Sequence, residues 1–120
     1  MISSEETSAG ARRQVAVITG AGSGLGEAMA LAFAQAGYDV AALDIDEPRA
    51  QATAALLRDS GRTSIAVGVD VADGDAMTDA ASEVALALGP VSVVCANVGV
   101  QQFGTIDRLT TDDWQWFLSV

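Results

Sequence analysis

Histidine and lysine are both absent from this 120-residue sequence. Without histidine, the chain lacks the usual imidazole base, the base of a serine triad and the commonest metal ligand. Arginine therefore supplies all 6 basic side chains, against 16 carboxylates, and the net charge is −10. Nucleic-acid affinity comes largely from clustered lysine and arginine. We therefore expect neither a nucleic-acid partner nor a metal site, and hydrolase chemistry is disfavoured.

The sequence also lacks paired cysteines and long apolar runs. Cys95 is the single cysteine, and its neighbours Val93, Val94 and Ala96 predict a packing residue in a buried strand rather than a nucleophile. Polar residues and glycines interrupt every apolar stretch before the roughly 18 residues that span a bilayer. Residues 1–6 have neither the basic nor the apolar part of a secretory signal. These features predict a cytoplasmic protein that does not enter a membrane.

Strand-like and helix-like segments alternate after a polar leader, which we assign to residues 1–13. β-Branched runs that end at glycine or aspartate predict buried strands, and Ala- and Leu-rich runs closed by glycine predict helices. The predicted strands are 14–19, 40–43, 64–69 and 91–96, and the predicted helices are 25–35, 48–59, 73–88 and one that begins at 111–113. Such alternation implies parallel pairing and right-handed crossovers. We expect an α/β doubly wound sheet of order 3-2-1-4 within residues 14–120, as the N-terminal part of one domain.

A glycine-rich turn follows the first predicted strand and opens the first helix. It has the spacing Thr-Gly-x-x-x-Gly-x-Gly, through Thr19, Gly20, Gly24 and Gly26, and not the strict G-x-G-x-x-G. In this position the backbone N–H groups and the helix dipole can face a pyrophosphate, and glycine lets the ligand approach the backbone. The alternative is a helix-packing turn that binds nothing. Its place after strand 1 favours the pyrophosphate.

Two aspartates end the next two predicted strands. Asp44 follows Gly26 by a little less than the spacing of about 20 residues at which an acidic side chain accepts hydrogen bonds from the adenosine ribose. Asp70 lies on the same rim, where its carboxylate could accept from the adenine amino group. A solvated strand-end aspartate and a helix-capping or loop aspartate are the respective alternatives.

Together with Asp44 and Asp70-Val71, the glycine pattern and the segment 95–99 (Cys-Ala-Asn-Val-Gly) resemble the short-chain dehydrogenase/reductase family. The resemblance covers residues 14–120 and implies a Rossmann-type NAD-binding domain. It places Leu25 beside the pyrophosphate, Ile45 beside the adenine, and Asn97 and Gly99 beside the nicotinamide ribose. Val98 stands where the family usually has alanine. The predicted cofactor site comprises Gly20, Ser23, Gly24, Leu25, Gly26, Asp44, Ile45, Asp70, Val71, Asn97 and Gly99.

No catalytic residue can be assigned within these 120 residues. The resemblance implies a catalytic asparagine, a serine and a Tyr-x-x-x-Lys pair, all of which we expect beyond position 120. The helix opened by Asp113-Trp114 would carry that asparagine, Tyr38 is the single tyrosine, and lysine is missing. Residues 101–103 are candidates for the border of a substrate pocket, with a plain surface loop as the alternative.

The predicted function is hydride transfer between NAD, preferred over NADP, and an alcohol or carbonyl substrate, with this chain binding the cofactor. The resemblance also implies a homo-oligomer for the full-length protein. A non-catalytic nucleotide-binding module is the first alternative. A methyltransferase is less favoured, because such enzymes usually place an acidic residue before the glycines, where Thr19 stands. An extended epimerase would space its glycines as G-x-x-G-x-x-G, which this chain does not.

Overall fold

The computed structural model describes residues 13–99 and 104–120. Within these ranges, strands and helices alternate along the chain. In order, they are β1 (Val15–Thr19), α1 (Gly24–Gln35), β2 (Asp39–Asp44), α2 (Glu47–Asp59), β3 (Ser64–Gly68), α3 (Gly74–Leu88), β4 (Val93–Cys95) and α4 (Thr111–Ser119). The predicted alternation of short apolar strands with longer helices is therefore confirmed.

The described strands form one parallel sheet in the order β3-β2-β1-β4. β1 pairs with β2 along its whole length, from Val15 opposite Asp39 to Thr19 opposite Leu43. β3 pairs with the outer side of β2, and β4 pairs with the other side of β1. The predicted α/β doubly wound sheet of order 3-2-1-4 is confirmed, and the architecture is of the Rossmann type.

Helices cover both faces of the sheet, because successive side chains of a strand point to opposite sides. Val15 and Val17 of β1 pack on one side against α3, whereas Ala16 and Ile18 pack on the other side against α1 and α2. The buried helix residues in these two clusters are Ala80, Val84, Ala30, Ala34 and Leu57. Burial of β1 on both faces explains its continuous apolar sequence.

The N-termini of the helices differ in whether a side chain caps them. Asp46 caps α2 and Asp73 caps α3, each by accepting a backbone N–H with its carboxylate. Thr110 caps α4 in a capping box with Asp113. At α1, the N-cap residue is Ser23, but its side chain makes no capping hydrogen bond. The backbone N–H groups in the first turn of α1 therefore make no hydrogen bond to the hydroxyl of Ser23.

The structure corrects the prediction for β4. The strand spans Val93–Cys95 rather than 91–96, although the N–H of Ser92 still donates to the carbonyl oxygen of Val15 at 2.9 Å. Val94 is 63% exposed, so the prediction of a buried strand is wrong at this residue. Cys95 is half-buried and packs against the same cluster as Ile18, consistent with a packing role.

Smaller differences affect the other elements. β3 ends at Gly68 rather than at Val69, although the N–H of Val69 still donates to the carbonyl oxygen of Asp44 at 3.0 Å. The remaining boundaries agree with the predicted ones to within one residue. Of the predicted leader only Arg13 is described, and the segment 101–103 proposed as a pocket border also lies outside the described residues. No helix in the described ranges is long and apolar enough to cross a membrane.

Candidate functional site

A cleft of about 470 Å³ opens at the carboxyl ends of the strands. Its position is the one expected for a doubly wound sheet, where the loops after β1 and β4 diverge. Eight of the predicted cofactor residues border it, namely Gly20, Ser23, Asp44, Ile45, Asp70, Val71, Asn97 and Gly99. The structure thus brings together residues that the sequence separates by as many as 79 positions.

Gly24, Leu25 and Gly26 belong to the first turn of α1 and do not line this cleft. Leu25 is 68% exposed. Gly24 has a φ of +56°, in the left-handed region, and a Cβ atom added there would meet nothing within 4 Å. Gly26 is buried, and a Cβ atom on it would overlap the carbonyl oxygen of Gly20. The glycines therefore serve different purposes: Gly26 brings the helix against the strand, and Gly24 leaves open space before the helix N-terminus.

Asp44 is held in place by two backbone groups. Its Oδ2 accepts from the N–H of Gly22 at 2.9 Å, and its Oδ1 accepts from the N–H of Asp46, also at 2.9 Å. A Cβ atom on Gly22 would lie 2.8 Å from Oδ2, so only glycine allows this contact. The carboxylate thus joins the glycine turn to the start of α2. Gly22 is a residue that the predicted site omitted, although it stands in the glycine run.

Thr19 connects the loops after β1 and β4. Its hydroxyl accepts from the N–H of Asn97 at 2.9 Å and from that of Val98 at 3.4 Å, and it donates to the carbonyl oxygen of Cys95 at 3.3 Å. The side-chain amide of Asn97 returns a hydrogen bond to the carbonyl oxygen of Thr19 at 3.3 Å. Sequence reasoning named Thr19 only as part of the glycine pattern and missed this role.

The far rim of the cleft comes from the loop after β3. Oδ1 of Asp70 accepts from the N–H of Ala72 at 2.9 Å, which is the loop role considered as the alternative for this residue. Val71 and Ala72 border the cleft beside it, and Ile45 borders the same cleft with 73% of its surface exposed. An exposed isoleucine next to an open cleft leaves an apolar surface on which a flat ring can pack.

Two further contributions were not predicted from the sequence. Thr53 is buried in α2, and its hydroxyl donates to the carbonyl oxygen of Ala21 at 2.9 Å. This hydrogen bond attaches the glycine turn to α2. Trp116 and Ser119 of α4 border the cleft together with Val120. The start of α4 at 111–113 was predicted, but its position beside the cleft depends on packing that the sequence pattern does not contain.

The site has no arrangement typical of a metal centre in the part of the chain that is described: no three Asp, Glu or Cys side chains are grouped closely enough to hold an ion. Its polar groups are instead carboxylates, an amide and backbone N–H groups. These groups suit the hydroxyls and phosphates of a nucleotide.

The model of the family described as short chain dehydrogenase matches residues 14–120. The chain is 35% identical to C alpha-dehydrogenase of a Sphingobium species, over 89% of this chain and 35% of that protein. It is 39% identical to meso-2,3-butanediol dehydrogenase of Serratia marcescens, over 85% of this chain and 40% of that protein. The chain thus spans less than half the length of either relative.

A solved structure agrees with these sequence matches. The crystal structure of a short-chain dehydrogenase/reductase from Burkholderia phymatum in complex with NAD has a TM-score of 0.86 and 36% identity to this chain. The similarity covers 91% of this chain and 39% of that one. Both the sequence match over residues 14–120 and the shared architecture point to the same relationship, and the chain therefore belongs to the short-chain dehydrogenase/reductase family.

Proposed function

We propose that the protein is an NAD-dependent oxidoreductase that transfers hydride between NAD and an alcohol or carbonyl substrate, and that this chain binds the cofactor. The observation that carries the proposal is the carboxylate of Asp44, fixed at the edge of the cleft by the N–H of Gly22. Hydride acceptance and donation are the chemistry that a bound nicotinamide supplies. The residues of this chain bind the cofactor and orient it.

The N-terminus of α1 fits a pyrophosphate. An uncapped helix N-terminus offers backbone N–H groups and a partial positive charge to an anion. Ser23 leaves these donors free of its side chain, and the space beside Gly24 is open. A side chain at either Gly20 or Gly24 would also be strained, since their φ values are +65° and +56°. The turn therefore has the donors and the clearance that a diphosphate needs.

Asp44 fits the hydroxyls of an adenosine ribose. A carboxylate offers about four acceptor positions. The N–H groups of Gly22 and Asp46 use one on each oxygen, which leaves acceptor capacity on both oxygens. Two adjacent ribose hydroxyls can donate to this remaining capacity, and the backbone contacts hold the carboxylate still while they do so. Ile45 and Val71 border the same part of the cleft and suit the adenine ring.

The same carboxylate favours NAD over NADP. A hydrogen bond from a ribose hydroxyl to a charged acceptor contributes about 1.5 to 3 kcal/mol. A 2′-phosphate would instead be repelled, by about 1 kcal/mol per unit charge at 4 Å in a watery environment and about 4 kcal/mol at an effective dielectric of 20. Both effects act in the same direction. The NAD bound by the Burkholderia phymatum relative is consistent with this preference.

Calorimetric titration of NADH and NADPH into the chain tests the proposal. The parent should bind NADH at least about tenfold more tightly, or 1.4 kcal/mol. Asp44→Ala should weaken NADH and remove most of the preference. Asp59→Ala, with the same charge change at the distant end of α2, should leave both affinities unchanged. Equal affinities in the parent, or an unchanged preference in Asp44→Ala, would contradict the proposal.

A further inference from the structure

We propose that Asp46 is a specificity-determining residue that excludes NADP by holding the guanidinium of Arg49 away from the ribose 2′ position. The inference rests on the proposed function, in which Asp44 accepts the ribose hydroxyls. Asp46 itself need not contact the cofactor. It acts through Arg49, whose side chain starts beside the glycine that the carboxylate of Asp44 contacts.

Arg49 lies against the same glycine as Asp44. A Cβ atom built on Gly22 would lie 2.7 Å from Cβ of Arg49 and 2.8 Å from Oδ2 of Asp44. The arginine side chain thus starts beside the point where the carboxylate meets the glycine turn. Its guanidinium is on a long, 65% exposed side chain, which can be redirected without disturbing the core.

Other arginines are engaged elsewhere. Arg13 pairs with Asp39 at the first residue of β2, and Arg58 donates to the carbonyl oxygen of Ser64 at the first residue of β3. Both contacts are at the amino ends of the strands, opposite to the cleft. Arg49, by contrast, lies at the glycine that the carboxylate of Asp44 contacts, and it is therefore placed to act on the 2′ side of the ribose. Arginine is also the side chain best suited to bidentate pairing with a phosphate.

Asp46 binds Arg49 twice. Its Oδ1 accepts from the backbone N–H of Arg49 at 3.2 Å, and its Oδ2 lies 3.4 Å from Nε of the same residue. The N–H of Asp46 in turn donates to Asp44. The ion pair is exposed and contributes little to stability. A 2′-phosphate must nevertheless compete with Asp46 for the guanidinium, and it meets the negative charge of Asp46 as well.

Asp46→Asn separates these effects from folding, because asparagine caps a helix as well as aspartate does. We expect Asp46→Asn to strengthen NADPH binding by about two- to fivefold, the range that weak exposed charge pairs support. NADH binding should change by less than about twofold. Asp46→Ser, which also caps and is neutral, should behave in the same way. Both variants are measured by calorimetry, with circular dichroism as the check on folding.

Two further variants test whether the gain in NADPH binding depends on Arg49. In an Arg49→Gln background, Asp46→Asn should lose most of its gain for NADPH, which gives a coupling between the two residues. Asp73→Asn is the matched control, since Asp73 caps α3 with the same chemistry but no ion pair was found for it in the described structure. It should not strengthen NADPH binding.

The outcomes distinguish this inference from the proposed function. If the parent binds NADH and Asp46→Asn gains nothing for NADPH, the inference is wrong while the NAD site stands. Equal gains with and without Arg49, or an equal gain in Asp73→Asn, would show a general charge effect and also overturn it. A parent that binds neither dinucleotide overturns the proposed function and the inference with it.

Discussion

The hydroxyl oxygen of Thr19 lies 2.9 Å from the backbone nitrogen of Asn97, 78 residues further along the chain. This contact joins the central strand to the loop after β4, on the side of the cleft where the resemblance places the nicotinamide ribose. Thr19 is 5% exposed, so water does not readily replace its hydroxyl. The hydroxyl of Thr19 and the side-chain amide of Asn97 therefore both attach the loop after β4 to β1.

Thr19→Val should lower the free energy of unfolding by about 1 to 3 kcal/mol, because it leaves the partly buried N–H of Asn97 without its acceptor. Thr19→Ser keeps the hydroxyl and loses one methyl group, so it should cost about 1 kcal/mol or less. Urea unfolding measures both. A valine variant as stable as the serine variant would show that the hydroxyl is not the attachment point.

Gly26→Ala and Gly24→Ala should differ sharply although both are in the first turn of α1. The first places a Cβ atom into the carbonyl of Gly20, where backbone must move, and we expect a loss of about 3 kcal/mol or more with loss of NADH binding. The second places a Cβ atom in open space. It should lower the free energy of unfolding by only about 1 to 2 kcal/mol, because alanine disfavours the left-handed conformation of residue 24. Urea unfolding of both variants checks the order, which the reverse ranking would contradict.

Arg13→Ala should destabilise the chain through Asp39. Oδ1 of Asp39 is buried without a hydrogen bond, and Arg13 lies 3.5 Å from it as an ion-pair partner. Since the side chain of Arg13 is 53% exposed, we expect a modest cost of about 1 kcal/mol. Asp39→Asn in the Arg13→Ala background should recover stability, because the unpaired buried charge is gone. Additive effects of the two changes in thermal unfolding would argue against the pairing.

The outer edge of β4 should make the 120-residue polypeptide self-associate. β4 pairs only with β1 among the described strands, and Val94 is an exposed, apolar, uncharged residue on it. Sedimentation at tens of micromolar should show association that Val94→Lys reduces. Leu86→Lys, the same charge change on the exposed surface of α3, should not reduce it. A monodisperse parent monomer would refute this prediction.

The 120-residue polypeptide should bind NAD without oxidising an alcohol. It holds no lysine and, in Tyr38, a single tyrosine, so it cannot present the Tyr-x-x-x-Lys pair that the resemblance implies. A positioned acid or base is typically worth about 10² to 10⁴ in rate. NADH formation across a panel of alcohols is the measurement. Turnover that disappears on mutation of a residue of this chain would contradict the expectation.

The strand order could be predicted because each strand carries its own local signal. A β-branched run, a glycine or aspartate at its end and a capped helix after it are all readable within about ten residues, and chirality then leaves few topologies. The start of α3 at Asp73, the residue that caps it, was found in this way. So were the carboxyl-end residues Asp44 and Asp70, since parallel strands bring their ends to one rim.

The length of β4 could not be predicted, because a strand exists only where its partner offers hydrogen bonds. β1 begins at Val15, and the register pairs Ala16 with Val93 and Ile18 with Cys95. By this register Val91 would stand opposite Gln14, before β1 begins. The register between β1 and β4 is set by tertiary packing, and the sequence pattern of neither strand indicates it.

The contacts of Thr19 and Arg49 were missed for a related reason. A threonine at a strand end and an arginine in the first turn of a helix are common and carry no signal of their partners. Their roles come from distances across the fold, 76 to 79 residues for the hydrogen bonds of Thr19 and 27 residues between Gly22 and Arg49. Glycine spacing predicts that a turn is tight but not which side chain packs beneath it.

Trp114 and Trp116 are the two tryptophans of the chain, and both are in α4, where Trp116 borders the cleft. All of the indole emission of this polypeptide therefore arises from one helix beside the candidate site. Reduced nicotinamide absorbs light at the wavelengths at which indole emits, so a dinucleotide in the cleft would quench this emission by energy transfer. The chain carries its own optical reporter of occupancy, and no label needs to be attached.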